Sequence, residues 1–232
     1  MSTNPQLAEK LPAPRRGPRE GEDARQRLVQ AGLRLFAARG YANTTTRELA
    51  DAAGVNVASI SYYFGDKAGL YRAAFFEPMG APEPEVGRFD DPALGAEAVL
   101  RGFYALFLEP LRDPATAALN TRLHFREMLE PTGLWQEVMD RLFGPLHAAL
   151  VRQLCRLLGL DAPDEDLHRL AAALVGQGVH LHVGRDCTEA LLPGLYAGDD
   201  AIDRWADSLV RGALAMIEAE RQRRAGLAED SR

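Results

Sequence analysis

The chain of 232 residues is 47% hydrophobic and 26% charged, with a net charge of −6 and two cysteines, Cys155 and Cys187. That length and apolar content suffice for a full core and exclude a wholly disordered chain, while two cysteines without CxxC spacing exclude a disulfide framework and a thiolate zinc site. No apolar run approaches about 18 residues and no continuous apolar stretch opens the chain, so the expectation is a cytoplasmic protein in a reducing compartment with no membrane span.

Residues 1–23 carry Pro5, Pro12, Pro14 and Pro18 among mixed charges and read as a flexible arm. From Ala24, the residues Leu28, Ala31, Leu35 and Ala38 recur at helical spacing, and Gly40 supplies a stop. Thr45-Thr46-Arg47-Glu48 is a T-x-x-E capping box, which predicts a second helix from about Thr45 to Ala53. Gly54 and Val55 make a tight turn, Asn56 caps a third helix ending at Gly65, and Asp66 caps a fourth that starts at Lys67 and runs through Leu70, Ala74 and Phe75. Two short helices joined by a turn, with a supporting helix before them, form a helix-turn-helix pattern.

Residues 54 to 67, GVNVASISYYFGDK, raise a question of burial, because hydroxyls are costly to bury. At 100° per residue Ile60 and Phe64 anchor the third helix. Ala58, Ser59 and Tyr62 then point away, with Ser61 and Tyr63 on the flanks. Charge is distributed accordingly: residues 24 to 76 hold seven Lys/Arg against three Asp/Glu, net +4, whereas residues 77 to 232 hold sixteen against twenty-six, net −10. A small basic module on an acidic body suits contact with a polyanion through that module alone.

Residues 78–92, rich in Pro, Gly and acid, read as a linker between a 24–77 head and a 93–224 body. Body helices are expected over residues 93–111, 115–130, 134–158, 164–185 and 201–224, with Pro145 kinking the third and a frayed tail at 225–232. Phe103, Phe107, Phe125, Met128, Trp135, Met139 and Phe143 fit either an effector pocket or ordinary core. His124 and Glu127 lie three apart on one helix face, a spacing that can share a metal, although such a pair is more often a polar contact and no metal is assigned. His180 and His182, two apart, face about 200° from each other and do not join on one ion. No nucleophile elbow, P-loop or dinucleotide fingerprint occurs, so neither an enzyme nor a cofactor is expected.

The stretch AGLRLFAARGYANTTTRELADAAGVNVASISYYFGDKAGLY resembles the DNA-binding domain of TetR-family transcriptional regulators. HFREMLEPT, GPLHAALVRQL and ALVGQGVHLHVGRD are similar to the sensing domain of the CecR-like branch. The resemblance implies an all-α fold, with a three-helix helix-turn-helix domain followed by a larger helical ligand-binding and dimerisation domain. It also implies a homodimer on a palindromic double-stranded DNA operator, most simply a repressor released by a small hydrophobic or aromatic effector. DNA contacts are implied for Thr45, Thr46, Arg47, Ser59, Ser61, Tyr62, Tyr63 and Lys67; Val57 and Ala58 fall where longer polar residues read bases in the family, so readout there is apolar. His124 is counted with the aromatic and Met residues of the candidate pocket. The resemblance puts the dimer face on the last two long helices, with Val175 and Val179 on one and Trp205, Leu209, Ala213 and Met216 on the other, although intrachain core suits each of these equally. Gly176 and Gly178 would permit close approach there. The competing reading is a small-molecule binding protein or enzyme in which the helix-turn-helix is only structural.

Overall fold

The computed structural model describes residues 18–79 and 86–230, all helices and connecting turns with no strand among them. The head comprises α1 (Pro18–Arg39), α2 (Thr46–Ala53), α3 (Ala58–Phe64) and α4 (Lys67–Phe76). The body follows with α5 (Ala96–Leu108), α6 (Pro114–Leu129), the short α7 (Trp135–Val138), α8 (Gly144–Leu158), α9 (Glu165–Val183), α10 (Arg185–Leu191) and α11 (Ala201–Asp230).

Both ends of the described chain are more ordered than proline and charge content suggest. Part of the expected arm, residues 1–17, lies outside the described residues, but α1 already begins at Pro18, a residue suited to the first turn because its missing N–H has no partner to lose there. At the other end α11 runs to Asp230 instead of fraying at 225. Its last turns are tied to the start of α9 by Arg224, which donates to both carboxylate oxygens of Asp164 at 2.7 and 2.8 Å, and by Arg223, which donates to Asp166.

Pro145 does not simply kink one long helix. It has no N–H to give to the Arg141 carbonyl and its ring would crowd that oxygen. The ladder instead widens into a π turn over Met139–Phe143, with the Gly144 N–H reaching back five residues to the Met139 carbonyl, and α8 restarts from there. The helix expected over 134–158 is therefore three pieces.

Two hydrophobic clusters organise the molecule. The body cluster gathers Leu100, Phe103, Tyr104, Leu150, Leu174 and Ala213 from α5, α8, α9 and α11. Phe89, within the segment expected to be a linker, is fully buried in it and meets the Phe103 ring edge-on at 5.7 Å. The head cluster contains Leu28, Phe36, Leu49, Ile60, Leu70 and Phe75, and it crosses the boundary expected at residue 77: Leu123, Leu134 and Val138 from α6 and α7 are buried in the same cluster. A four-helix head of about sixty residues buries little apolar surface by itself, and the body's side chains complete it.

Candidate nucleic-acid interface

The α2–turn–α3 unit is fixed by its caps. Thr45 Oγ1 accepts the Glu48 N–H at 3.2 Å while Glu48 Oε2 accepts the Thr45 N–H at 2.9 Å, the reciprocal capping box that the T-x-x-E spacing predicts. Glu48 also receives Arg39 Nη1 at 2.7 Å. The Thr45 backbone and hydroxyl hold its carboxyl below the ordinary Glu range, and Arg39 lowers it further. Gly54 ends α2 with φ +64°, a left-handed conformation that a side chain resists. Asn56 Oδ1 then accepts the Ala58 N–H at 2.8 Å and starts α3, and Asp66 Oδ1 accepts the Gly69 N–H at 2.8 Å to start α4.

Within α3 only Ile60 is fully buried, docked on the head cluster, and the remaining positions face outward or flank it. Tyr62 is 81% exposed and Val57 42%; Ala58 and Ser61 are exposed, and Ser59 is half-buried. Tyr62, Val57 and Ala58 together leave apolar side chains in water on this face. Tyr63 is half-buried and lies edge-on to Tyr62 with centroids 4.8 Å apart. On α2, Thr46 is half-buried, while Thr45 and Arg47 are exposed beside this face. Lys67 Nζ stands 4.2 Å over the Tyr41 ring; partial burial lowers its ammonium pKa, opposed by nearby Glu48. The ten residues singled out for DNA contact thus fall on α2, α3, the turn between them and the start of α4.

Other sequence expectations divide differently. Phe103 and Phe107 pack in the body cluster, Trp135 and Phe143 against the head cluster, and Met128 and Met139 are exposed, so the eight pocket residues do not share one chamber. Sequence spacing alone cannot separate them, because they lie on different helices and each one's destination depends on what packs opposite; Trp135 and Phe143, on either side of most of the π turn, stay together with ring centroids 5.9 Å apart. His124 and Glu127 do not share a metal: His124 Nδ1 donates to the Asn120 carbonyl at 2.7 Å, its ring lies 4.0 Å from that of Phe75, and Glu127 is engaged elsewhere. Burial depresses the His124 pKa, partly offset by that carbonyl. His180 is exposed, whereas His182 Nε2 donates to the Phe107 carbonyl at 2.8 Å.

Of the expected dimer residues, Leu209 and Ala213 are buried within one chain and so belong to its core. Val175, Trp205 and Met216 pack partly buried against that core, and Val179 is half-buried. Gly178 likewise serves the interior: a Cβ there would stand 2.5 Å from the Phe107 ring, whereas Gly176 opens outward with nothing within 4 Å.

Two features escaped the sequence. A shallow, open groove of about 370 Å³ lies between α1 and α2, lined by Asp23, Gln26, Arg27, Gln30, Arg34 and Ala52. The other is a seam between head and body. In it Tyr71 donates to the fully buried Glu127, and Arg72 on α4 pairs with Glu137 on α7 at 2.7 Å. Tyr71 and Glu127 stand 56 positions apart, so no local pattern links them.

Comparison with known proteins agrees with this architecture. Residues 28–74 match the model for bacterial regulatory proteins of the tetR family, and residues 96–219 match the C-terminal domain of the HTH-type transcriptional dual regulator CecR. The chain is 33% identical over 193 residues to the CecR dual regulator of Shigella flexneri, covering 78% of this chain and 85% of that protein. In fold it is similar to HlyIIR, a hemolysin II transcriptional regulator (TM-score 0.57, 19% identity, 82% of this chain and 98% of that one). It is also similar to NalD of Pseudomonas aeruginosa, the secondary repressor of a multidrug efflux pump (TM-score 0.56, 20% identity, 84% of this chain and 97% of that one). A capped helix-turn-helix carrying an outward aromatic face, on a body of the CecR type, identifies the chain as a member of the TetR family of transcriptional regulators.

Proposed function

We propose that the chain acts in the cytoplasm as a homodimeric repressor that binds a palindromic operator through two α2–α3 units and is released by a small hydrophobic or aromatic effector. One observation carries the DNA side of this reading: Tyr62 on α3 and Val57 just before it stand out in solvent on a segment that Asn56 caps and Ile60 anchors. α3 enters the major groove with Val57, Ala58, Ser59 and Tyr62 towards the bases, where apolar groups and the tyrosine meet thymine methyls. Thr45, Thr46, Arg47, Ser61, Tyr63 and Lys67 hold phosphates. Sparse side-chain hydrogen bonding to bases leaves much of the preference to DNA shape.

Dimerisation is assigned to the outer faces of α9 and α11. Ala172, Gly176, His180 and Val183 are exposed along α9 at helical spacing, and Ala215 and Ala219 along α11. Small side chains there let helices of two subunits approach closely, and the buried Leu209 and Ala213 support the face from within. For the effector, α6 offers two acceptors in the interior, His124 Nε2 and Asn120 Oδ1, with no hydrogen-bond partner among the described residues. A hydrophobic molecule carrying one N–H or O–H group suits that chemistry, with Phe103, Phe107 and Phe125 as candidate apolar neighbours.

The role is regulatory rather than catalytic. The test is fluorescence anisotropy of the full chain on labelled DNA from immediately upstream of its own gene, against unrelated competitor DNA. Binding to the upstream fragment about a thousandfold tighter supports the reading, and equal weak binding to both fragments opposes it. Because the Shigella relative is a dual regulator, transcription in vitro from the bound fragment decides the sign. Less transcript with added protein supports repression, and more transcript overturns it.

A further inference from the structure

The Glu127 carboxylate is fully buried on α6, and its partners are all neutral donors. Oε2 accepts the Tyr71 hydroxyl at 2.8 Å and the Thr132 hydroxyl at 2.9 Å; Oε1 accepts the N–H groups of Thr132 at 2.9 Å and Leu134 at 3.2 Å. A buried carboxylate is tolerated only when its lone pairs are filled in this way. One side of this carboxylate grips the loop leading into α7, and the other grips α4 of the head. Burial and the neighbouring Glu127 both raise the Tyr71 pKa, so the phenol stays protonated and keeps donating.

The grip reaches the DNA-facing surface in two further contacts. The Tyr71 ring meets Tyr41 edge-on at 5.1 Å and Phe36 at 4.9 Å, and the Tyr41 ring lies under Lys67 Nζ at 4.2 Å. Lys67 in turn opens α4 directly after α3 ends at Phe64. Other polar ties across the seam, Arg72 to Glu137 and Arg126 to the Ala38 carbonyl at 3.4 Å, are solvent-facing and weakened by water and salt.

We propose that Glu127 is a positioning residue for DNA recognition: by holding Tyr71 it fixes the angle of the head on the body, and so sets the separation at which two α3 helices present themselves. The proposal rests on the homodimeric operator-binding reading above. A stripped bond leaves the head docked by Leu123, Leu134 and Val138, which are apolar and non-directional, so the head stays folded but is less narrowly aimed.

The test selects binding sites from a random-sequence double-stranded DNA pool with the wild-type chain and with the Tyr71→Phe, Glu127→Gln and Thr132→Ala variants, and reads the spacer between paired half-sites. Wild type is expected to favour one spacer over its neighbours at ±1 base pair by about tenfold or more, and Tyr71→Phe and Glu127→Gln to cut that preference below about threefold. Thr132→Ala removes a donor on the body side only; it lowers thermal stability but keeps the wild-type spacer distribution. A general loss of stability would weaken all spacers alike. Should one of the two tie-breaking variants fail to fold, the other carries the comparison, and amide exchange of α4, expected to quicken when the tie is cut, supplements it. An unchanged spacer preference in Tyr71→Phe and Glu127→Gln, or the same broadening in Thr132→Ala, overturns the proposal while leaving the operator-binding reading intact. Failure of wild type to enrich any paired site defeats the operator-binding reading and this proposal with it.

Discussion

Lys67 offers a quantitative handle on the DNA reading, because a phosphate contact has a signature that base contacts lack. Replacing it with Met keeps the aliphatic stem and removes the charge. Each phosphate neutralised on duplex DNA contributes about 0.9 to the slope of log affinity against log salt, so two copies of Lys67 in a dimer account for a slope change of about 1.8. Between about 50 and 200 mM salt that amounts to a tenfold smaller loss of affinity for Lys67→Met than for wild type. The side chain stands 4.2 Å over Tyr41, and loss of this contact should lower the stability of the head by about 0.5–1 kcal/mol, too little to unfold it. Anisotropy titrations on the upstream fragment across that salt range measure the slope directly, with Arg141→Met, which removes a body cation lying over the Phe76 ring at the end of α4, as a control expected to leave it unchanged. Parallel lines for wild type and Lys67→Met would show that Lys67 touches no phosphate and would refute the placement of this end of α4 against DNA.

Thr45→Ala breaks the capping box and should cost about 1 kcal/mol, seen as a lower midpoint in urea with unchanged slope; replacement by Ser should restore most of it. The pKa of His124 is lowered by burial, so below the unfolded-state value of about 6.5 the unfolded chain binds more protons than the folded one. The His124 contribution is therefore full above that pH and falls as pH drops towards the folded value; His124→Gln should flatten part of the dependence in thermal melts, with His182 and His147, also depressed by burial, among the groups that contribute the remainder. Gly178→Ala forces a Cβ into the Phe107 ring and should destabilise the body by about 1–3 kcal/mol. Gly176→Ala meets nothing within 4 Å among the described residues and should leave each subunit as stable or more so, by up to about 1 kcal/mol, so any loss of dimer in sedimentation would place a partner subunit at that face.

What was legible in the sequence follows from the range of the interactions involved. The caps at Thr45, Asn56 and Asp66 act over two or three residues, and all three form in the structure as the spacing predicts. The outward set on α3 is likewise a consequence of 3.6-residue periodicity around Ile60. The aromatic residues of the body obey the same periodicity yet separate between two clusters, because their destination depends on which helix packs opposite. Leu209 and Ala213 show the same limit: an apolar stripe faces something, and periodicity does not say whether that is the same chain or a partner subunit. The groove between α1 and α2 forms only where two helices meet, and the Tyr71–Glu127 bond joins residues 56 positions apart, so neither leaves a repeat to read.

The shared core of head and body bears on how an effector could act at a distance. His182 on α9 donates to the Phe107 carbonyl on α5 and accepts from the Thr121 hydroxyl on α6 at 3.3 Å, so three body helices meet beside the acceptors proposed for the effector. One and two turns further along α6 come His124, against Phe75 of the head, and then Glu127 with Tyr71. A close-packed interior does not absorb a displacement of α6; it passes it to Leu123 and to the head. The thermodynamic consequence is strict. An effector that lowers operator affinity by some factor must itself bind the operator-bound dimer more weakly by the same factor. Calorimetric titration of effector into free protein and into the protein–DNA complex tests this, with a matched drop expected. No effector binding to the complex at all, with operator affinity falling without a plateau as effector rises, would mean that the molecule competes at the DNA face and that α6 carries no signal.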